Sequence, residues 1–155
     1  MKKVMIFLFL TAFTSSCEKR ETVDLTYLCK FPENLISSCY YGISNYQNTE
    51  IVIKDAEAYH DFENAIRAQL LNTDCDTATL PYIDFSLWTL LGEKTQGGGC
   101  SAEYDRRIGE NNKEKKVTYT ITVVYSGQCY MLLGSWNWVL VPKLKEGYTV
   151  EFRVE

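Results

Sequence analysis

The sequence predicts an α+β domain in which a mostly antiparallel sheet of six to seven strands carries one helix and is stapled by disulfides. Three observations carry this expectation. Val117, Tyr119, Ile121, Val123 and Tyr125 alternate with Thr118, Thr120 and Thr122, the two-residue period of a half-buried strand, and Tyr148–Val154 repeats the pattern. One stretch, about 56–71, has the helical period instead. Five cysteines follow an export-type N-terminus, which puts them in an oxidising compartment where disulfides are the default.

At the N-terminus, Lys2 and Lys3 precede an apolar run, Val4 to Phe13, and Thr14-Ser15-Ser16 lead into Cys17. This reads as a lipoprotein signal over residues 1–16. The thiol of a cysteine placed after small residues is alkylated before cleavage, so the mature chain is expected to begin at a lipidated Cys17. The apolar run is too short to span a bilayer. Acyl chains add about 0.8 kcal/mol per buried methylene and hold a small domain on a membrane. The expected address is the cell envelope, at the outer membrane of a Gram-negative bacterium, on its periplasmic or surface face. Residues 17–24 read as a lipidated tether, and residues 25–155 as a single globular domain.

Along that domain, residues 25–47 carry Tyr27, Phe31, Pro32, Ile36, Tyr40 and Tyr41 without sustained period and read as an irregular, stapled segment. Glu50–Ile53 is a short strand. Asp55 offers a side-chain acceptor to cap a helix from Ala56, in which Ala56, Tyr59, Phe62, Ile66 and Leu70 form an apolar stripe. Residues 73–77 are a loop, Tyr82–Leu91 a strand, and Gly97–Gly99 a turn. Cys100–Ile108 is a strand running to a tip at Gly109–Lys113, from which the alternating Val117–Tyr125 strand returns. Cys129–Leu133, Trp136–Val141 and Tyr148–Val154 complete the set.

Cys100 follows one glycine turn and Cys129 another, Ser126-Gly127, each near a strand end. Cys100 with Cys129 is therefore the first pairing to expect. One pair within Cys29, Cys39 and Cys75 comes next, leaving one thiol unpaired or bonded elsewhere. No metal site is expected, since there is no Cys-x-x-Cys and His60 is the sole histidine. Asp74 and Asp76 lack the glycine and later glutamate of a calcium loop.

The formal charge of −4 becomes −6 once Lys2 and Lys3 leave with the signal, 14 basic residues then facing 20 acidic ones. An acidic domain is a poor nucleic-acid ligand. Enzyme motifs for a nucleophile elbow, a zinc protease or a phosphate loop are absent, so no catalytic residue and no cofactor are expected. His60 reads as a surface histidine, and Asp84, Glu93, Glu103 and Asp105 as carboxylates too common to single out a glycosidase pair. Arg106, Arg107, Lys113, Lys115 and Lys116 bracket the hairpin tip as gatekeeping charge. In Ser135-Trp136-Asn137-Trp138, a strand places Trp136, Trp138 and Leu140 on one face and Val139 and Val141 on the other. Either that strand is covered on both faces, or the tryptophans form an exposed platform suited to sugar rings or a partner's pocket.

The strand Ile51–Ile53, the helix from Ala56, the run Leu80-Pro81-Tyr82-Ile83-Asp84-Phe85-Ser86, the Leu90-Leu91-Gly92 ending and the late Val139-Leu140-Val141-Pro142-Lys143 together resemble the C-terminal domain of the protease-complex subunit PrcB and related small bacterial lipoproteins. The resemblance covers about residues 50–155. Here the glycine turn leads into Cys100, and Cys29 to Cys129 look like an added disulfide frame. What the resemblance implies is a non-enzymatic accessory domain that binds another envelope protein, a protease among the candidates. The alternative is a glycan-binding surface lipoprotein using Trp136 and Trp138, with Tyr40 and Tyr41 as further contact candidates.

Overall fold

A computed structural model describes residues 22–30, 49–70 and 80–155. Its elements are β1 (Thr22–Asp24), a 3₁₀ turn (Thr26–Leu28), β2 (Glu50–Ile53), α1 (Ala56–Leu70), β3 (Trp88–Gly98), β4 (Ser101–Asn111), β5 (Lys116–Ser126), β6 (Leu132–Pro142) and β7 (Thr149–Val154). The expected α+β class is found, with seven strands divided between two sheets of order β1-β4-β5-β7 and β2-β3-β6. Every pairing is antiparallel except β5 with β7.

Three layers result: α1, the small sheet, and the large sheet. Alternation along β3 and β6 explains the order. Leu90, Trp138 and Leu140 face α1 and pack with Ile51, Ile53, Phe62 and Ile66, while Leu91, Val139 and Val141 face the large sheet and pack with Ile108, Val117, Tyr119 and Ile121. Of the two arrangements the tryptophan strand allowed, the covered one occurs. Trp138 is 7% exposed, its ring edge-on to Phe62 at 5.6 Å and stacked on Trp136 at 5.2 Å. It lies directly over Gly92, where an added Cβ would strike the indole. The exposed two-tryptophan platform is thereby corrected: the inner ring belongs to the core.

Asp55 caps α1 as expected, its Oδ1 accepting from the Ala58 amide at 2.8 Å. Phe62 and Ile66 are buried and Tyr59 is half-buried, whereas Ala56 is exposed; the side chain of Leu70 lies outside the described residues. The strand expected from Tyr82 begins only at Trp88. Asp84 stops it earlier: its carboxylate accepts from the Ser86 amide and hydroxyl at 2.9 and 2.6 Å, and its carbonyl from the amides of Leu87 and Trp88. That is a side-chain-closed turn. The far end differs too, because Gly97 and Gly98 pair with Leu133 and Leu132 and extend the strand. The same ladder continues through Gly134 and Ser135, fusing two expected strands into β6. The hairpin tip moves to residues 112–115, where Asn111 Oδ1 accepts from the amides of Lys113 and Glu114.

Thr22–Asp24, read as the end of the tether, already pairs with Asn111–Gly109 of β4. From there the chain crosses to the other sheet, where Lys30 and Leu140 exchange both backbone hydrogen bonds at 3.0 and 2.9 Å. Residues 22–30 thus close one side of the sandwich.

Trp138→Ala is expected to cost about 3–5 kcal/mol of stability, because the cavity it leaves is walled by the rigid Gly92 backbone and by α1. Urea denaturation checks this, and a loss below about 1 kcal/mol contradicts the core placement.

Candidate functional site

The chain passes between sheets twice at one end of the molecule, from β3 to β4 through Gly99-Cys100 and from β5 to β6 through residues 127–131. Two unrestrained crossovers side by side would fray. Here the expected Cys100–Cys129 disulfide joins them, with Cα atoms 4.9 Å apart. Cys100 N donates to Ser126 O at 2.7 Å, Gly99 N to Met131 O at 3.1 Å, and the hydroxyls of Ser101 and Ser126 are 2.7 Å apart. Gly127 turns at φ +83°, and a Cβ there would collide with Cys100 Sγ.

This clamped end presents three consecutive apolar side chains to solvent: Tyr130 is 108% exposed, Met131 54% and Leu132 69%. Leu132 is on the α1 side of β6, in line with Gly134 and the half-buried Trp136. Scattered exposed apolar residues need no explanation, but a contiguous cluster on a fixed backbone is the pattern of a recognition surface. Tyrosine and methionine are also enriched at protein interfaces. The disulfide and its surrounding hydrogen bonds restrict the backbone in the free protein, which lowers the ordering cost of binding. Reading the sequence missed this surface because Cys129–Leu133 reads as a strand; the signal that marks it is a disulfide between two adjacent turns.

A second feature is polar and interior. On the inner face of β3 and β6, Asn137 is fully buried, its Nδ2 donating to Thr95 Oγ1 at 3.0 Å and its Oδ1 accepting from Arg106 Nε at 3.1 Å. Beside it Glu93 is 6% exposed, and its Oε2 has no hydrogen-bond partner among the described residues. Burial, then the charge of Glu50 directly opposite on β2, pushes the Glu93 carboxyl up to about 7. Tyr119, whose hydroxyl donates to Asn137 O at 3.4 Å, is likewise raised by burial. A third feature is a shallow trough of about 410 Å³ on the outer face of the large sheet, lined by Asp24, Arg107, Lys116, Thr118, Glu151 and Arg153. Its charges are already engaged: Arg107 with Asp105, Lys116 with Glu114 and Glu151, and Arg153 with Glu151.

The other expected site residues are scattered. Cys17, Cys39, Cys75, Tyr40 and Tyr41 lie outside the described residues. Cys29, a candidate for the second disulfide, carries a free thiol. The 3₁₀ turn directs it inward onto the inter-sheet core, where Sγ donates to Leu25 O at 3.3 Å and burial pushes its thiol up to about 12. His60 is on the exposed face of α1, 3.9 Å from Glu63. Asp84 is occupied by its turn, Glu93 is interior, and Glu103 and Asp105 are exposed on β4, so these carboxylates form no catalytic pair. The basic cluster is split by strand alternation, Arg106 pointing to Asn137 and Arg107 to the outer face. Among the described residues, no group of three or more His, Cys, Asp and Glu side chains could hold a metal ion.

Comparison with known proteins returns no matching family model, no matching curated protein and no matching solved structure.

Two outcomes follow from this geometry. Glu93 holds in the folded state a proton that the unfolded chain releases near pH 4.5, so its contribution to stability is full below that pH and is lost as the pH rises through about 7. The gap between the two values corresponds to about 3 kcal/mol. Urea midpoints of the wild type should fall over this window while those of Glu93→Gln stay flatter, and parallel profiles would sink the assignment. Cys100→Ala with Cys129→Ala should cost about 3–4 kcal/mol for a closed loop of this length, read by the same denaturation.

Proposed function

We propose that this chain is a lipid-anchored, extracytoplasmic, non-enzymatic interaction domain, an accessory subunit of an envelope complex, and that it grips its partner through the clamped Tyr130–Leu132 end. The observation that carries this reading is that end itself, apolar, exposed and held by the Cys100–Cys129 disulfide. An aromatic and two aliphatic groups on a fixed backbone suit an anchor entering a partner's apolar pocket. The scatter of His60 and the four carboxylates supports a binding role over catalysis. The likeness of residues 50–155 to the PrcB C-terminal domain supports a protease complex as the setting, and the signal ending at Cys17 supports the anchor.

Envelope extract of the source organism, crosslinked to a soluble domain from Glu18 onward and read by mass spectrometry, tests the reading. One protein should be enriched and should be lost with Met131→Asp, a variant whose melting temperature should change little because the side chain is exposed. Equal recovery by both proteins overturns the Tyr130–Leu132 surface, and retention only on an insoluble glycan fraction overturns protein binding in favour of sugar binding near the half-buried Trp136. In cells, Cys17→Ala should move the chain from the membrane to the soluble fraction.

A further inference from the structure

We infer that the protein stands end-on to its membrane, with the Thr22 end toward lipid and the disulfide end outward, so that the Tyr130–Leu132 surface meets an apolar pocket on a protein and not a bilayer. This rests on the anchoring of Cys17 proposed above.

The register of β4 carries the argument. Thr22 is opposite Asn111 at one end of β4, whereas Ser101 at the other end is opposite Ser126, next to the Cys100–Cys129 crossovers. Ten residues of strand separate the two ends, about 33 Å at the usual rise. Only four residues, Glu18 to Glu21, lie between Cys17 and Thr22, a reach of at most about 18 Å. An upright domain therefore holds Tyr130, Met131 and Leu132 far beyond the headgroups.

Both broad faces oppose a recumbent pose. The outer face of the large sheet carries Glu103, Asp105, Arg107, Glu151 and Arg153, and the exposed face of α1 carries Glu57, Asp61 and Asn64. Laying either on lipid desolvates charge, and a mature net charge of −6 is repelled by anionic headgroups. The end near Thr22 is the better neighbour for lipid: exposed Lys113 and Lys115 flank Glu114 in the β4–β5 turn, Lys145 is paired with Glu110, and the exposed apolar Val23, Tyr27 and Leu28 suit the membrane interface. Exposed apolar side chains thus occur at both ends of β4, Val23, Tyr27 and Leu28 toward the Thr22 end and Tyr130, Met131 and Leu132 at the disulfide end.

The occupant of the far end follows from its distance from the anchor. A surface held this far from the bilayer has only the aqueous space and its proteins to meet, and an aromatic–aliphatic cluster on a fixed turn fits a concave apolar pocket.

The test uses the full lipidated chain with a photo-crosslinking amino acid at position 113 or position 130. In vesicles of phosphatidylethanolamine and phosphatidylglycerol, the chain should float, position 113 should label lipid, and labelling should be lost at position 130. In intact cells, position 130 should give a discrete protein adduct that Met131→Asp abolishes while lipid labelling from position 113 persists. A chain that fails to float overturns the anchor and the orientation together. A floating chain that labels lipid from position 130 overturns the orientation alone. Floating with no Met131-dependent protein adduct at position 130 overturns the choice of occupant.

Discussion

The structure depends on one constraint: Leu90 and Leu91 of β3 and Trp138 to Val141 of β6 put apolar side chains on both faces of their ladder, and neither face can be left wet. Each buried Leu, Val or Ile contributes about 1.5–3 kcal/mol when covered. One face is covered by α1 and the other by the large sheet, so the chain must leave the small sheet after β3 and re-enter it before β6. Those two changes of sheet fall at the same end because β3 pairs antiparallel with β6 and β4 with β5 at equal length. The disulfide site and the exposed turn beside it follow from that geometry, and the surface proposed for binding is a by-product of how the core is enclosed.

Between the sheets the apolar layer is interrupted by Glu93, Thr95, Arg106 and Asn137. Burying an amide or a charge costs several kcal/mol unless it is bonded, and Asn137 is bonded through both of its side-chain atoms. A one-residue slip of β3 against β6 would turn Glu93 and Thr95 toward the apolar layer under α1 and part Thr95 from Asn137. The polar inclusion therefore fixes the register of the ladder, at the cost of a carboxyl that stays protonated to near neutrality.

What the sequence made legible was local. The Asp55 cap, the Phe62–Ile66 stripe, the Val117–Tyr125 alternation and the Cys100–Cys129 pair each rest on a few neighbouring residues. What it hid was tertiary. Alternation says which faces are apolar but not which sheet a strand joins, so two sheets read as one. Gly97 and Gly98 read as a turn because their pairing with Leu133 and Leu132 comes from a strand more than thirty residues on. Tyr130 and Met131 read as part of a strand with Leu132 because an apolar run does not show that the ladder begins only at Leu132. Glu93 read as one acid among many, since its burial depends on a facing sheet that no local pattern announces.

The register of β1 has a bearing on how the chain acquires its shape. β4 and β5 are adjacent in sequence and share a short turn, so their hairpin and the nearby Cys100–Cys129 link form from local chain. Thr22–Asp24 comes early in the chain, yet its partner strand β4 lies more than eighty residues on. This segment cannot pair until β4 has been made. The β1–β4 seam is thus a long-range contact, and its three residue pairs make it the shortest strand pairing in the large sheet.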